Sequence, residues 1–124
     1  MSVEGDLVDA LKPLVTNAGT PASHRVYADV APEGATKPFI TFQQVGGQPL
    51  NFLSGIPDKR SGRFQINVWA ATRVQAMSLI RQAEDILRLS TVLRATTQGG
   101  AVAIYEEDTK LYGARQDFAI TFQA

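Results

Sequence analysis

The feature that most constrains this chain is the stretch "GRFQINVWAATRVQAMSLIRQAEDIL", Gly62 to Leu87, where apolar residues recur first every two positions and then at helical spacing. In "RFQINVWA", Phe64, Ile66 and Val68 share one face and Gln65, Asn67 and Trp69 the other, the alternation of a half-buried strand. In "TRVQAMSLIRQAEDIL", Ala76, Leu79, Ile80, Ala83, Ile86 and Leu87 form a stripe at helical spacing. Arg73, Ser78, Arg81, Gln82, Asp85 and Arg88 form the wet face opposite. Thr72 suits the N-cap, and Gln75 three residues later completes a capping-box pattern. Arg81–Asp85 and Glu84–Arg88 are pairs four apart that support a helix. A strand followed at once by an amphipathic helix is scaffold: a central strand with the helix laid across its apolar face.

The flanking segments fit that scaffold. The spacing of Leu7, Leu11, Leu14 and Val15 predicts a helix over residues 3–15, with Ser2 as N-cap and Glu4, Asp6 and Asp9 toward its positive end. Pro13 removes a helical hydrogen bond, so a kink or an early end is expected there. "NAGTP" signals a loop. "HRVYADVA" from His24 reads as a strand with Val26, Ala28 and Val30 on one face, and "PEGATKP" as the turn after it. "FITFQQV" from Phe39 reads as a second strand. "AVAIYEEDTKLY" from Ala101 and "ARQDFAITFQA" from Ala114 read as the last two, Phe118, Ile120 and Phe122 sharing a face in the latter. The expected fold is α+β: two helices packed on one face of a mostly antiparallel sheet of four to five strands, in a single domain spanning residues 1–124.

Composition removes several function classes. Twelve basic and twelve acidic residues balance, which gives no support to a general nucleic-acid binder. Without cysteine there is no disulfide framework, thiolate zinc site or cysteine nucleophile. The N-terminal residues carry acids rather than a basic segment and a long apolar run, so no secretory leader is expected. No apolar run reaches the length of a membrane span.

Candidate chemistry is sparse. His24 is the single histidine and has no local partner for acid–base work. Glu106, Glu107 and Asp108 are three consecutive acids. Read as strand residues they point to alternating faces and do not converge on a cation, so they read as a solvated strand end or an acidic patch on an assembly surface. "DKRSGR" groups Asp58, Lys59 and Arg60 with Arg63, a solvated loop or a contact to another protein. The two glycine pairs lack the lysine and spacing of a phosphate loop. Trp69 reads as packing at the sheet end, with a subunit-contact anchor as the alternative. No cofactor and no metal are expected.

Two features suit interaction better than catalysis. Residues 46–62 make a connection far longer than a hairpin loop, and it carries Leu50, Phe52, Leu53 and Ile56. Four large apolar side chains need cover, from the same domain or from another subunit. The second feature is the other face of the sheet. Thr41, Gln43, Gln65, Asn67, Thr121 and Gln123 are polar but uncharged, and so cost less to bury against a partner than charges would.

The whole pattern resembles the small tail-completion proteins of long-tailed bacteriophages, which are related in fold to tail terminators. The resemblance rests on the helix "LVDALKPLV", on "RVYADVAPEGATKPFITFQQVGG" with its proline-led aromatic strand "KPFITF", and most on "RFQINVWAATRVQAMSLIRQAEDIL". The closing "YGARQDFAIT" is similar to the family's last strand. The resemblance implies a structural virion protein and no enzyme. It implies a homo-oligomeric ring, commonly of six subunits, that caps the head-proximal end of the tail tube, stops its polymerisation and permits head–tail joining. The implied partners are the tail-tube protein and a head-connector or neck protein, with neither sequence-specific nucleic acid nor membrane. The implied location is the neck end of the virion tail, with assembly in the bacterial cytoplasm. Leu50, Phe52, Leu53, Ile56, Asp58, Lys59, Arg60, Glu106, Glu107 and Asp108 are the expected subunit or partner contacts. The alternatives are another head–tail connector protein of similar fold, and a small ligand-binding domain or enzyme. A deep pocket lined by His24, Tyr27 or Glu106 would favour the last of these.

Overall fold

The computed structural model describes residues 3–17, 20–46, 59–91, 93 and 95–123. Helix α1 runs Val3–Leu11 and tightens into a single 3₁₀ turn at Lys12–Leu14. Pro13 causes the early end, because its ring leaves no N–H for the next α-helical bond. Where a loop was expected at Asn17–Pro21, two short strands follow, β1 (Thr16–Asn17) and β2 (Thr20–His24), paired with each other, so His24 ends β2 rather than starting the next strand.

The main sheet has six strands: β3 (Val26–Ala28), β4 (Phe39–Gln44), β5 (Lys59–Ala70), β6 (Thr96–Thr97), β7 (Val102–Glu106) and β8 (Leu111–Gln123). Their order is β3-β4-β5-β8-β6, with β7 also paired to β8. Helix α2 (Arg73–Leu89) connects β5 to β6.

The sheet is larger than the four to five strands expected, and it is mixed. β3 and β4 are parallel, with Val26 opposite Ile40 and Ala28 opposite Phe42. The connecting segment, residues 29–38, does not turn as a hairpin; it returns the chain to the starting level of β3. Asp29 and Gly34 take the left-handed conformations this arch requires (φ 63° and 78°). Val30, expected on a strand face, lies in the arch and is 78% exposed. The segment read as one strand from Ala101 is instead a hairpin, with β7 and β8 joined across a turn at residues 107–110. The last strand therefore begins at Leu111, three residues before the expected Ala114.

The central pair, β5 and β8, is in antiparallel register from Lys59–Gln123 to Ala70–Tyr112. Phe64, Ile66 and Val68 face Phe118, Gln116 and Ala114 across it. This face packs against Ala76, Leu79, Ile80, Ala83 and Leu87 of α2 and Leu7 and Leu11 of α1, with Ile40, Phe42 and Ile120 completing the core. The expected placement of both helices on one face is what the structure has. Thr72 caps α2, its side chain accepting from the Gln75 backbone N–H at 3.2 Å. Of the two expected pairs on α2, Arg88–Glu84 forms at 3.7 Å, and among the described residues Arg81 and Asp85 form none. No helix among the described residues is long and apolar enough to cross a membrane.

Gln116 is a polar residue on the apolar face. Its amide donates to Glu84 Oε1 at 2.7 Å and to the Gly99 carbonyl at 3.1 Å, tying β8 to α2 and to the segment between β6 and β7. A buried amide persists there because both donors are used.

Candidate interaction surface

The face of the sheet turned away from the helices, the open face, carries the residues between the core positions. Phe39, Thr41 and Gln43 come from β4, Arg63, Gln65, Asn67 and Trp69 from β5, and Leu111, Gly113, Arg115 and Asp117 from β8. Strand alternation alone puts them there. The face is drier than its sequence suggests. Thr41 and Asn67 are buried, and Gln43, Gln65 and Thr121 are half-buried. The polar groups partly satisfy one another: the Trp69 indole N–H donates to Thr41 Oγ1 at 3.3 Å, and the Asn67 amide donates to Gln65 Oε1 at 3.4 Å. Arg63 Nε donates to Asp117 Oδ2 at 2.7 Å across the β5–β8 pair. Arg63 is thus already engaged by an internal carboxylate.

At one end of this face lies an open cleft of about 580 Å³. Phe39, Thr41, Trp69 and Leu111 form its floor, the 29–38 arch forms one wall, and Glu106 and Thr109 of the β7–β8 hairpin stand at the other side. Trp69 settles on the floor because the residue beside it on β8 is Gly113. A Cβ at Gly113 would come within 3.0 Å of the indole ring and 2.7 Å of Ile104 Cγ1. Glycine inside a strand often marks such a close approach. Tyr27 packs edge-on against Phe39, ring centroids 6.3 Å apart, and buttresses the floor from the neighbouring strand. Nearer the other end is a second recess of about 530 Å³, bordered by Arg63, Gln65, Gln98, Arg115 and Asp117.

Glu106 ends β7, and Glu107 and Asp108 lie in the hairpin turn rather than on a continuous strand; all three are exposed. Glu106 accepts from Thr109 Oγ1 at 2.9 Å, a bond that braces the turn. Among the described residues no group of three or more His, Cys, Asp or Glu could hold a metal ion. Leu50, Phe52, Leu53, Ile56 and Asp58 lie outside the described residues. Lys59 and Arg60, expected in the 46–62 connection, instead open β5, which starts four residues before the expected Arg63, and they pair with Gln123 and Phe122, whereas Leu111 and Glu106 pair at the other end of β8. The described contact residues, Lys59 and Arg60 on one side and Glu106, Glu107 and Asp108 on the other, therefore fall at two opposite ends of the sheet. The cleft includes Glu106 but not Tyr27, and its lining is mainly apolar. Sequence reasoning did not assemble the cleft. The available signal was Gly113, a glycine within a strand of alternating residues.

The family model described as Tail completion protein gp17 matches residues 6–123. The chain belongs to that family. No curated protein matches it. Membership in the tail completion family gives the chain a structural role in the phage tail, in contact with other tail or head proteins. The open face carries polar side chains, with charges at Arg63, Arg115 and Asp117, and one concave apolar cleft.

Proposed function

We propose that the protein closes the head-proximal end of a phage tail tube as a homo-oligomeric ring, ending tube polymerisation and presenting a docking surface to the head connector. The role is assembly and not catalysis. The observation that carries this reading is the family match across residues 6–123. Six subunits are the number that the resemblance implies.

The geometry supports an assembling surface. Strand β7 pairs with β8 on one side, and among the described residues no strand occupies its other side. Val102 and Tyr105 on it are 48% and 52% exposed, and its first four residues, Val102 to Tyr105, carry no charge. Monomeric proteins usually guard such an edge with lysine, proline or a bulge, and burial in an assembly is another way to cover it. The residue set proposed for subunit or tube contact is Lys59 and Arg60 at one end of the sheet, Glu106, Glu107 and Asp108 at the other, and Leu50, Phe52, Leu53, Ile56 and Asp58, which lie outside the described residues.

Electron microscopy of the protein mixed with tail tubes tests this. A ring at one end of each tube, and tubes of fixed length, are expected. Tubes that keep growing with protein bound along their sides would refute it. Cross-linking to a portal-side protein but never to the tube would instead assign the chain to another position in the neck. Replacing Phe52 and Leu53 together with serine is expected to leave the monomer folded and to reduce ring formation or tail joining. Normal tail completion by that variant would remove the segment from the contact set.

A further inference from the structure

The geometry points to a symmetric contact in which β7 pairs antiparallel with β7 of a second copy of this chain, joining the two sheets edge to edge. The contact goes beyond the ring and does not rest on it. A two-fold contact closes with two copies and cannot by itself build a ring, so it belongs to the protein free of the tail tube.

The backbone comes first. Gln98 donates its N–H to the Asp117 carbonyl at 2.9 Å. In an antiparallel ladder, alternate residues turn both backbone groups toward the same neighbouring strand. Asp117, Arg115, Gly113 and Leu111 therefore turn theirs toward the β6–β7 side of β8, where Val102 faces Arg115, Ile104 faces Gly113 and Glu106 faces Leu111. Ala103 and Tyr105 lie between these bonded residues, so their N–H and C=O groups point out of the edge of the sheet. Among the described residues no backbone partner meets them. The strand is also bare on both faces: Val102, Ala103, Tyr105 and Glu106 are exposed and Ile104 is half-buried.

Within the 5 residues of β7, one symmetric register sets every outward residue against another. Ala103 of each copy faces Tyr105 of the other, and the two Ile104 residues meet on the two-fold axis. Each Ala103–Tyr105 pair then exchanges both N–H···O bonds. Side-chain size fits the same register. Tyr105 of one copy lies across from Ala103 of the other, with Ala114 beyond it on β8, a large ring against two small residues.

Charge selects a second copy over an arbitrary extended segment. In this register Glu106 of one copy lies across from Val102 of the other, whose neighbour on β8 is Arg115. Arg115 is half-buried and, among the described residues, forms no ion pair. The Cα atoms of Arg115 and of Glu106 in the other copy are two strand spacings apart, roughly 10 Å, within the combined reach of the two side chains and the hydrogen bond between them. The acidic turn after Glu106 runs on beside Gly99 and Gly100 of the other copy, which border the recess that holds Arg115 and Arg63. By symmetry, opposite charges meet at both ends of the contact.

Sedimentation of the free protein over a range of concentrations is expected to show a monomer–dimer equilibrium. Arg115→Glu and Glu106→Arg each set like charges against one another at both ends, and each should weaken the dimer by roughly tenfold or more. An equimolar mixture of the two variants restores both pairs and should dimerise as the unaltered protein does, a rescue that an effect on folding alone would not give. Ala103→Pro removes an outward N–H while the bonds from β7 to β8 stay, so circular dichroism should be unchanged and the dimer lost. The chain has no cysteine, so an engineered thiol reports alone. Ile104→Cys brings two thiols together on the axis, at a facing pair without backbone bonds, where side chains are closest, and Val102→Cys holds them apart. On mild oxidation the first should give roughly tenfold or more disulfide-linked dimer than the second. Protein that stays monomeric at every concentration, with no excess of the Ile104→Cys dimer, would overturn the proposal. A dimer that the charge variants and Ala103→Pro leave unchanged, or a mixture no stronger than its components, would overturn it as well. None of these results bears on the ring, which is read on tail tubes.

Discussion

The two faces of the main sheet are cut from the same strands but are built differently. Phe64, Ile66 and Val68 are fully buried under α2, while one position along the same strand Gln65, Asn67 and Trp69 point to the open face. The first set is held by burial that no polar group needs to satisfy. The second is held by paired polar groups, Trp69 to Thr41 and Asn67 to Gln65, around one glycine-made gap. The helix face therefore fixes the fold. The open face can be remodelled at smaller cost, as a face that must meet other proteins requires.

The most disruptive change should fall on the helix face. Phe118 is fully buried opposite Phe64 on the central pair. Phe118→Ala should cost about 3–5 kcal/mol, a large share of the stability of an ordinary domain. Urea unfolding followed by circular dichroism measures it. A loss below roughly 1 kcal/mol would mean that the two faces do not differ in the way described.

Next comes Gly113, where the open face leaves no room for a Cβ. Gly113→Ala drives a Cβ against Ile104 and the Trp69 ring. The side chains can shift only partly, so about 1–3 kcal/mol is expected from overpacking. Because Trp69 is the sole tryptophan, its fluorescence should change along with the unfolding midpoint. An unchanged emission spectrum would show that the indole does not lie over Gly113.

How legible this was in the sequence follows the same division. Alternation and helical spacing located β4, β5, α2 and the apolar face of β8, because burial on one face leaves a periodic trace. Thr72 was legible as a cap and Pro13 as a helix end, since both act through local backbone chemistry. Strand direction was not legible. "PEGATKP" has the composition of a turn whether the chain reverses or arches back, and here it arches, making β3 parallel to β4. The hairpin at residues 107–110 was hidden because its turn is charged and carries no glycine or proline. Its left-handed residue is Lys110, φ 55°. The cleft was hidden for a further reason: its lining comes from the arch, β4, β5 and the hairpin, distant in sequence and brought together only by sheet order. Family membership, by contrast, was visible because the strand–helix scaffold is the part that such a pattern records.

A smaller loss is expected back on the helix face. Thr72→Ala removes the side-chain acceptor for the Gln75 N–H at the start of α2. About 1 kcal/mol should be lost, with Thr72→Ser restoring most of it. Thermal unfolding of the three proteins checks this. Equal stability of the alanine and serine variants would deny the cap its role.

The smallest effect should come from the open face and sharpens the comparison most. Thr41→Val keeps the shape of the side chain but removes the oxygen that accepts from the Trp69 indole at 3.3 Å. Thr41 is buried, yet Trp69 is only half-buried, so water can reach the freed N–H. The net loss should be about 0.5–1 kcal/mol, the ordinary value of one neutral hydrogen bond. The indole would no longer be held at its polar end, so Trp69 fluorescence should become more accessible to an added quencher such as acrylamide. Unchanged quenching in the variant would mean that Thr41 does not hold the indole.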